Sequence, residues 1–254
     1  MGKLYDHCKK NCKDVKMNCL IVGNGNWGKK LAKNLEKFVI VKKKINSSTD
    51  YRRLKLKKID WVFISTPSNF HYKQVKYFLK KKVNVFCEKP ITLDSSKTKE
   101  LIELSYKNSV KLYIDEIESF KNKRLFLFKK NLIFRSKSKH YSFRELLYAL
   151  FYHDFYLLKN KISLKSIKIN ILKNSNLKKV FSITTRNFFF LFNYEINKKK
   201  KHLINKVNFI TKKNYIKVML RHVLKNRVNF KENHENALFC NLLIEIILKE
   251  YKRT

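Results

Sequence analysis

Three of the four glycines of this chain lie within six residues, in the segment Gly23-Asn24-Gly25-Asn26-Trp27-Gly28. The apolar run CLIV at residues 19–22 precedes the segment and is typical of a buried parallel strand, and a helical pattern follows it. In such a strand–loop–helix unit the first Gly permits a tight turn, the second lets the backbone approach a pyrophosphate, and the third lets the helix pack on the strand. The helix N-terminus then offers free N–H groups to the anion. The segment predicts a doubly wound α/β domain that binds a dinucleotide.

Both prolines follow predicted strands of the same domain. The strand at 59–64 ends in Ser65-Thr66-Pro67, with His71 in the next helix, and the strand at 83–87 ends in Glu88-Lys89-Pro90. Ser68 and Asp94 are candidate N-caps for helices to about residues 82 and 108, and a further strand is expected at 110–114. Because parallel strands end at one edge of a sheet, where these folds bind ligands, these residues are predicted to face the dinucleotide: Ser65, Thr66, Pro67, His71, Glu88 and Lys89.

Three ordered blocks, VGNGNWGKKLAKNL, ISTPSNFHYKQV and VNVFCEKPITLD, resemble the glucose–fructose oxidoreductase and inositol dehydrogenase family, also called Gfo/Idh/MocA. The Glu-Lys-Pro block is the most specific of the three. The resemblance implies an NAD(P)-dependent oxidoreductase that transfers a hydride to or from a sugar, sugar alcohol or sugar derivative. It also implies a second α/β domain with an open, mostly antiparallel sheet that forms homo-oligomers.

The resemblance places two catalytic residues. Lys89 lies at the junction of cofactor and substrate, where burial can lower its pKa and make it the acid/base. His153 matches the family's His in an Asp-x-x-x-His pair, but Ala149 stands where the pattern has Asp. Asp154 is about 100° further around the helix and is no simple replacement. Loss of the Asp weakens the catalytic role of His153, which could instead be a partly buried helix residue.

The choice between NAD and NADP depends on the end of the second strand, expected at 38–45. NAD-binding domains usually carry an acidic residue there, which bonds the ribose. This chain has Asn46, Ser47 and Ser48 instead, with Lys44 and Arg52 nearby. Ser47 and a cation could hold a 2′-phosphate, which gives a slight preference for NADP. A drift in composition toward Lys would produce the same residues.

The second half of the chain predicts helices and strands of weaker signature. Ser142 and Glu145 form a capping box for a helix to about residue 159. Strand-like runs are expected at 167–171, 180–185, 187–196, 203–210 and 214–220, followed by a helix at 233–251. The run of Phe within 188–192 indicates a strand buried on both faces, or a sheet face covered by another subunit. The predicted division is a polar disordered tail at 1–15, a Rossmann domain at 16–119 and a substrate and dimerisation domain at 120–254.

The formal net charge of +40 raises the alternative of a nucleic-acid-binding protein on the same fold. Lysines are spread along the whole chain, and residues of AT-rich codons abound, so compositional drift explains the charge better and any nucleic-acid binding should be non-specific. Five Cys without regular spacing predict no disulfide framework and no metal site, although His7, Cys8 and Cys12 lie close together. No apolar stretch is long enough to span a membrane, and a cytoplasmic location is expected. A cofactor-binding paralogue with impaired catalysis is the other alternative, because only about 135 residues follow the predicted Rossmann domain, fewer than the resemblance implies.

Overall fold

The structure is a computed structural model, which describes residues 17–46, 48–121, 125 and 127–253. The expected tail at 1–15, with His7, Cys8 and Cys12, lies outside the described residues, as does Ser47. Two sheets organise the described chain, and each has helices on its surface. The α/β class predicted from the sequence is confirmed.

The first sheet is parallel, with its five strands in the spatial order β2-β1-β3-β4-β5. Its strands are β1 (Asn18–Val22), β2 (Ile40–Ile45), β3 (Trp61–Ile64), β4 (Asn84–Cys87) and β5 (Leu112–Ile114). The connecting helices are α1 (Asn26–Leu35), α2 (Ser68–Lys80) and α3 (Ser95–Lys107). Short 3₁₀ turns follow at Tyr51–Arg53 and Ile117–Lys121. β1, β3 and β4 are buried on both faces, as their unbroken apolar sequences require in a sheet covered by helices on both sides.

Local sequence explains how these helices begin. The Asp94 side chain accepts a hydrogen bond from the backbone N–H of Lys97 and caps α3, as the sequence predicts. The helix after β3 starts earlier than expected, at Ser68, with Pro67 as N-cap residue. Ser68 therefore opens the helix and does not cap it.

The second sheet has six strands in the order β11-β10-β6-β9-β8-β7. They are β6 (Lys130–Lys137), β7 (Lys168–Asn174), β8 (Lys178–Thr184), β9 (Phe189–Ile196), β10 (Lys201–Ile204) and β11 (Val207–Asn208). Every pair is antiparallel except β6 with β9. One sheet face packs on the helical segment α4 (Phe143–Leu146), a π turn at Leu147–Phe151 and α5 (Tyr152–Leu158). The predicted capping box of Ser142 and Glu145 is present at its start.

Three expectations for this half of the chain are wrong. The strand expected at 214–220 is instead the helix α6 (Tyr215–Leu224), capped by Asn214, because its buried residues recur at helical spacing and pack against α1. The run expected as one strand at 203–210 forms the short hairpin of β10 and β11, and β6 had no prediction. The Phe run in β9 alternates: Phe190 and Phe192 are buried and Leu191 is half-buried, so only one face is core.

The last helix, α7 (Phe230–Tyr251), lies between the two sheets. Its Phe239, Cys240 and Leu243 pack into the core of the second sheet. On another face, Asn233 bonds the backbone of Ile114 in β5, and the side chains of His234 and Asn241 lie within hydrogen-bond distance of the backbone carbonyls of Leu112 and Thr92. Because both faces are buried, the helix lacks the simple amphipathic pattern of a surface helix.

Candidate active site

The glycine loop between β1 and α1 is packed against the end of β3. Gly23 has a φ of 109°, a conformation that favours glycine, and a Cβ there would lie 2.6 Å from the carbonyl carbon of Ser65. A Cβ on Gly28 would lie 1.9 Å from the carbonyl oxygen of Gly23. The Ser65 hydroxyl donates to that same oxygen at 3.1 Å. Gly23 and Gly28 therefore serve the close packing of loop, helix and strand.

Gly25 differs from the other two glycines. Its φ of −72° suits any residue, and apart from Gly25 and its two chain neighbours, no atom of the described residues lies within 4 Å of the position of a Cβ. Gly25 is the N-cap residue of α1 without a capping side chain, and Asn24 and Asn26 beside it are exposed. Neither backbone conformation nor packing requires glycine here, so the open space beside it is the feature that the residue preserves.

Trp27 is the partly buried residue of the loop. Its indole Nε1 has no acceptor within the described part of the chain, and the Lys30 ammonium lies 5.7 Å from the ring centroid. Trp27 lines two neighbouring cavities of about 490 and 570 Å³, and Ala149 also lines both.

The strand ends after β3 and β4 are joined by His71. Its Nε2 lies 2.7 Å from the carbonyl oxygen of Thr66, and its Nδ1 lies 2.8 Å from that of Pro90. Burial lowers the pKa of His71, although the two carbonyls favour the protonated ring. A neutral ring donates to one of these oxygens, and an imidazolium to both. Either way, His71 fixes the distance between the loops that carry Thr66 and the cis Lys89–Pro90 bond.

Lys89 points from the end of β4 into the helical segment of the second half. Its ammonium donates to the carbonyl oxygens of Tyr148, at 3.0 Å, and Ala149, at 2.6 Å. Both carbonyls belong to the π turn at Leu147–Phe151, and such turns are frequent at functional sites. Burial lowers the pKa of Lys89 to about 8, although nearby Glu88 and Asp115 act in the opposite direction. The amine can therefore exchange a proton near neutral pH.

Three carboxyl groups lie close together at the ends of β4 and β5. Burial raises the pKa of Glu88 well above its usual range, and Asp115, which it hydrogen-bonds, adds to the effect. Burial likewise raises the pKa of Asp115, and raises that of Glu116 to about 8. Because Glu88 and Asp115 are hydrogen-bonded to each other, both carboxyl groups cannot easily be ionised at once, so the pair holds a proton.

His153 lines the larger cavity, whereas Lys89 lines the smaller one. Its Nδ1 lies 3.2 Å from the Tyr156 hydroxyl. Burial lowers the pKa of His153 well below its usual range, and the charges of Lys89 and Arg135 lower it further. The imidazole is therefore neutral at physiological pH.

A buried ionic network next to His153 could not be found from sequence spacing. Arg135 in β6 donates from Nε to Asp154 at 2.8 Å and from Nη2 at 3.1 Å, and His202 Nε2 lies 2.7 Å from the same carboxylate. Burial alone would raise the pKa of Asp154, but Arg135 and His202 together hold it below its usual range. His202 also approaches Glu118, which Lys121 bonds. The sequence shows only that Asp154 follows His153, and it does not indicate which residues Asp154 bonds.

The predicted dinucleotide residues come together in part. Together with Trp27, the smaller cavity is lined by Ser65, Thr66, His71, Glu88 and Lys89. Pro67, the N-cap residue of α2, is not among the described residues that line it. At the end of β2, Lys44 is bonded to Glu36 at 2.7 Å, and Arg52 and Arg53 both lie beside Asp50. These cations therefore already have carboxylate partners.

The residues present fit a dinucleotide. The open space beside Gly25 lies at the N-terminus of α1, where backbone N–H groups and the helix dipole favour a pyrophosphate. In the described part of the chain, no three His, Cys, Asp or Glu side chains are grouped to bind a metal, and no helix has the length and apolar character needed to cross a membrane.

Comparison with known proteins agrees with this geometry. Residues 33–116 match the profile of the Gfo/Idh/MocA oxidoreductase family, described as an NAD-binding Rossmann fold. The resemblance found in the sequence is thereby confirmed over residues 33–116. The uncharacterized oxidoreductase YgjR of Escherichia coli (strain K12) is 36% identical over 63 residues, which are 25% of this chain and 18% of that protein.

Solved structures share the fold over nearly the whole chain. UDP-N-acetylglucosamine 3-dehydrogenase GnnA from Acidithiobacillus ferrooxidans has a TM-score of 0.74 at 12% identity, covering 92% of this chain and 97% of that one. GenD2 from gentamicin A biosynthesis, in complex with NAD, has a TM-score of 0.72 at 12% identity over 92% and 93% of the two chains. WlbA from Thermus thermophilus, in complex with NAD and alpha-ketoglutarate, gives 0.70 at 13% identity over 90% and 94%. At these identities the likeness shows the fold.

Proposed function

We propose that this chain is an NAD(P)-dependent oxidoreductase that transfers a hydride between a nicotinamide cofactor and a CH–OH group of a sugar, sugar alcohol or sugar derivative. The observation that carries the proposal is Lys89. Its amine, with a pKa of about 8, lies in the cavity lined by the ends of β3 and β4 and by Trp27 of the glycine loop. A general acid/base works best when its pKa is close to the working pH.

The residues of the loop from Gly23 to Gly28 and the N-terminus of α1 would hold the pyrophosphate, with Ser65, Thr66 and Glu88 along the same cavity. The nicotinamide, when bound, supplies the hydride acceptor or donor. In oxidation, neutral Lys89 takes the proton of the substrate hydroxyl as the C–H bond breaks; in reduction, the ammonium returns it to the oxygen. The carbonyl oxygens of Tyr148 and Ala149 hold the Lys89 ammonium in place between its uptake of the proton and the return of that proton.

His153 is proposed to assist from the neighbouring cavity. As a neutral imidazole next to the Tyr156 hydroxyl, it can accept a hydrogen bond from a substrate hydroxyl and orient it toward Lys89. The absence of a carboxylate at Ala149 leaves His153 without the acid that could charge it.

The first test is a fluorescence titration with NADH and NADPH. Saturable binding of at least one is expected, and no binding at millimolar cofactor would refute the proposal. We propose a slight preference for NADPH, because Asn46, and not an acidic residue, directly follows β2. Lys89→Met should then abolish turnover with a panel of sugars and polyols while leaving cofactor affinity nearly unchanged.

A second candidate is a cofactor-binding paralogue with impaired catalysis, favoured by Ala149. It predicts tight NADH or NADPH binding with no turnover by the native chain and a gain of turnover in Ala149→Asp. Turnover by the native chain would exclude it.

The proposal also covers the oligomeric state of the protein and its location in the cell. The face of the second sheet turned away from α5 exposes Leu132 and Leu172, with 41% and 57% of their surface accessible. We propose that this face forms a homo-oligomer of a cytoplasmic enzyme. Sedimentation velocity of the native chain and a Leu132→Glu variant tests it, and a monomeric native chain would contradict it.

A further inference from the structure

The larger cavity, beside His153, is more basic than the chain as a whole. Eight of the twenty described residues that line it are Lys or Arg, compared with 59 of 254 in the full sequence. Glu118 is the one acidic residue among them, and Lys121 already bonds it at 2.7 Å. The cavity wall therefore carries a clear excess of positive charge.

Arg135 gives this cavity a buried cation. Only 6% of its surface is exposed, although it lines the cavity. Asp154 occupies its Nε and Nη2 hydrogens, and Nη1 has no hydrogen-bond acceptor among the residues that the structure describes. A guanidinium held rigidly by a carboxylate on one edge can bond a second planar or tetrahedral anion with its remaining N–H groups.

The compositional drift toward lysine does not explain this arrangement. Drift places lysines on any surface, as in a cavity of about 500 Å³ near β2, where six of the ten described lining residues are Lys or Arg, with Lys55 and Lys57 exposed among them. The larger cavity differs because its cations surround a buried Arg and act on one another. Partial burial lowers the pKa of Lys200, and the charges of Lys137, Lys121 and Arg135 lower it further. An anion in the cavity would relieve this repulsion.

We propose that the larger cavity binds the phosphate or diphosphate group of an anionic sugar substrate, with Arg135 at its floor and Lys137, Lys200 and Lys212 around it. A volume of about 570 Å³ is in the range of small-molecule sites. Ala149 and His153 in the same wall connect it with Lys89, so the anionic group is held on one side and the reacting sugar extends toward the amine. This inference rests on the proposed function, since it names the substrate of the same site.

The test is calorimetric titration of inorganic pyrophosphate into the protein saturated with whichever reduced cofactor binds more tightly. Saturation matters because the α1 N-terminus also attracts phosphate. Saturable binding of one pyrophosphate is expected, and acetate at equal ionic strength should give no saturable heat. Lys200→Gln/Lys212→Gln should weaken binding about tenfold, since two partly screened charges are removed. The matched control, Lys55→Gln/Lys57→Gln, loses the same charge from the cavity near β2 and should change pyrophosphate binding less than twofold.

Arg135→Lys keeps the positive charge but removes the planar guanidinium with its several N–H donors, and it should weaken pyrophosphate binding about tenfold. If that variant does not fold, the exposed pair at Lys200 and Lys212 still decides the matter. Equal losses in both double variants would show unspecific charge attraction and overturn the inference, as would equal binding of acetate. If the cofactor binds and pyrophosphate does not, this inference fails alone; if no cofactor binds, the proposed function fails and the inference with it.

Discussion

Gly25 and Gly28 offer a matched pair of substitutions that separates ligand binding from folding. In Gly25→Ala the added Cβ enters open space at a φ of −72°, whereas in Gly28→Ala it meets the carbonyl oxygen of Gly23 at 1.9 Å. The two variants add the same methyl group, three residues apart. We expect opposite consequences for stability and for cofactor affinity.

The magnitudes follow from these distances. Gly25→Ala should leave the free energy of unfolding within about 0.5 kcal/mol of the native value, because the small loss at an N-cap is offset by reduced freedom of the unfolded chain. Its Cβ would push a pyrophosphate away from the loop and lengthen charge-assisted hydrogen bonds worth about 1.5–3 kcal/mol each. Cofactor affinity should therefore fall about tenfold or more. Gly28→Ala forces the backbone apart and should cost about 3 kcal/mol of stability.

The assays are thermal unfolding without ligand and fluorescence titration with NADH or NADPH. We expect Gly25→Ala to unfold within about 2 °C of the native chain, and Gly28→Ala to unfold about 6–12 °C lower. If Gly25→Ala binds the cofactor as tightly as the native chain, the pyrophosphate does not lie beside Gly25 and the interpretation of the loop is wrong. A stability loss in Gly25→Ala equal to that of Gly28→Ala would refute it too.

Three further predictions concern other parts of the site and fold. Labelling of Lys89 by trace acetic anhydride, measured by mass spectrometry, should increase with a midpoint near pH 8, because burial lowers the pKa of Lys89 and only the neutral amine reacts. Ala149→Asp should raise this midpoint, because it places a carboxylate near the ammonium. Asn241→Ala should lower the free energy of unfolding by about 2–3 kcal/mol in urea titration, because its buried amide bonds Thr92 at the edge of the Rossmann part. Asp154→Asn should lower it by about 3–5 kcal/mol at pH 7, because Arg135 keeps a buried charge without its counterion.

Each of these has its own control. For the labelling, a midpoint near that of exposed lysines in the native chain would contradict the lowered pKa. The exposed Asn187→Ala should leave urea unfolding unchanged, and an equal effect of the two Asn variants would remove the role given to Asn241. The pKa of Asp154 is lower in the folded protein than in the unfolded chain. Its ion pair therefore stabilises the fold at pH values above the unfolded-state pKa of this carboxyl group, and the stabilisation is lost as the pH falls through its folded-state pKa. The deficit of Asp154→Asn should therefore shrink in acid, and a constant deficit would argue for lost packing instead.

The residues at strand ends were predictable, and the partners across the fold were not. The glycine loop and Lys89 follow directly after apolar strands, and the geometry of a parallel sheet then fixes their common edge. Residues 215–218, Tyr-Ile-Lys-Val, predict a β-strand, and only the packing of Met219 and Leu220 on α1 selects the helix α6. The partners of Asp154 lie 19 and 48 residues away, in β6 and β10, so no local pattern could indicate them.

The position of α6 and α7 has a consequence for the order in which the molecule is built. The face of the Rossmann sheet that carries Phe63 and Phe86 is completed by Met219 and Leu220 of α6, and β5 is covered by α7. On the ribosome, the nucleotide-binding half is synthesised first but leaves the exit tunnel with apolar surface still bare. More than a hundred further residues must be synthesised before α6 and α7 can cover that surface. Nascent chains halted before α6 should therefore bind chaperones strongly, although the sequence motifs of the Rossmann part are already complete.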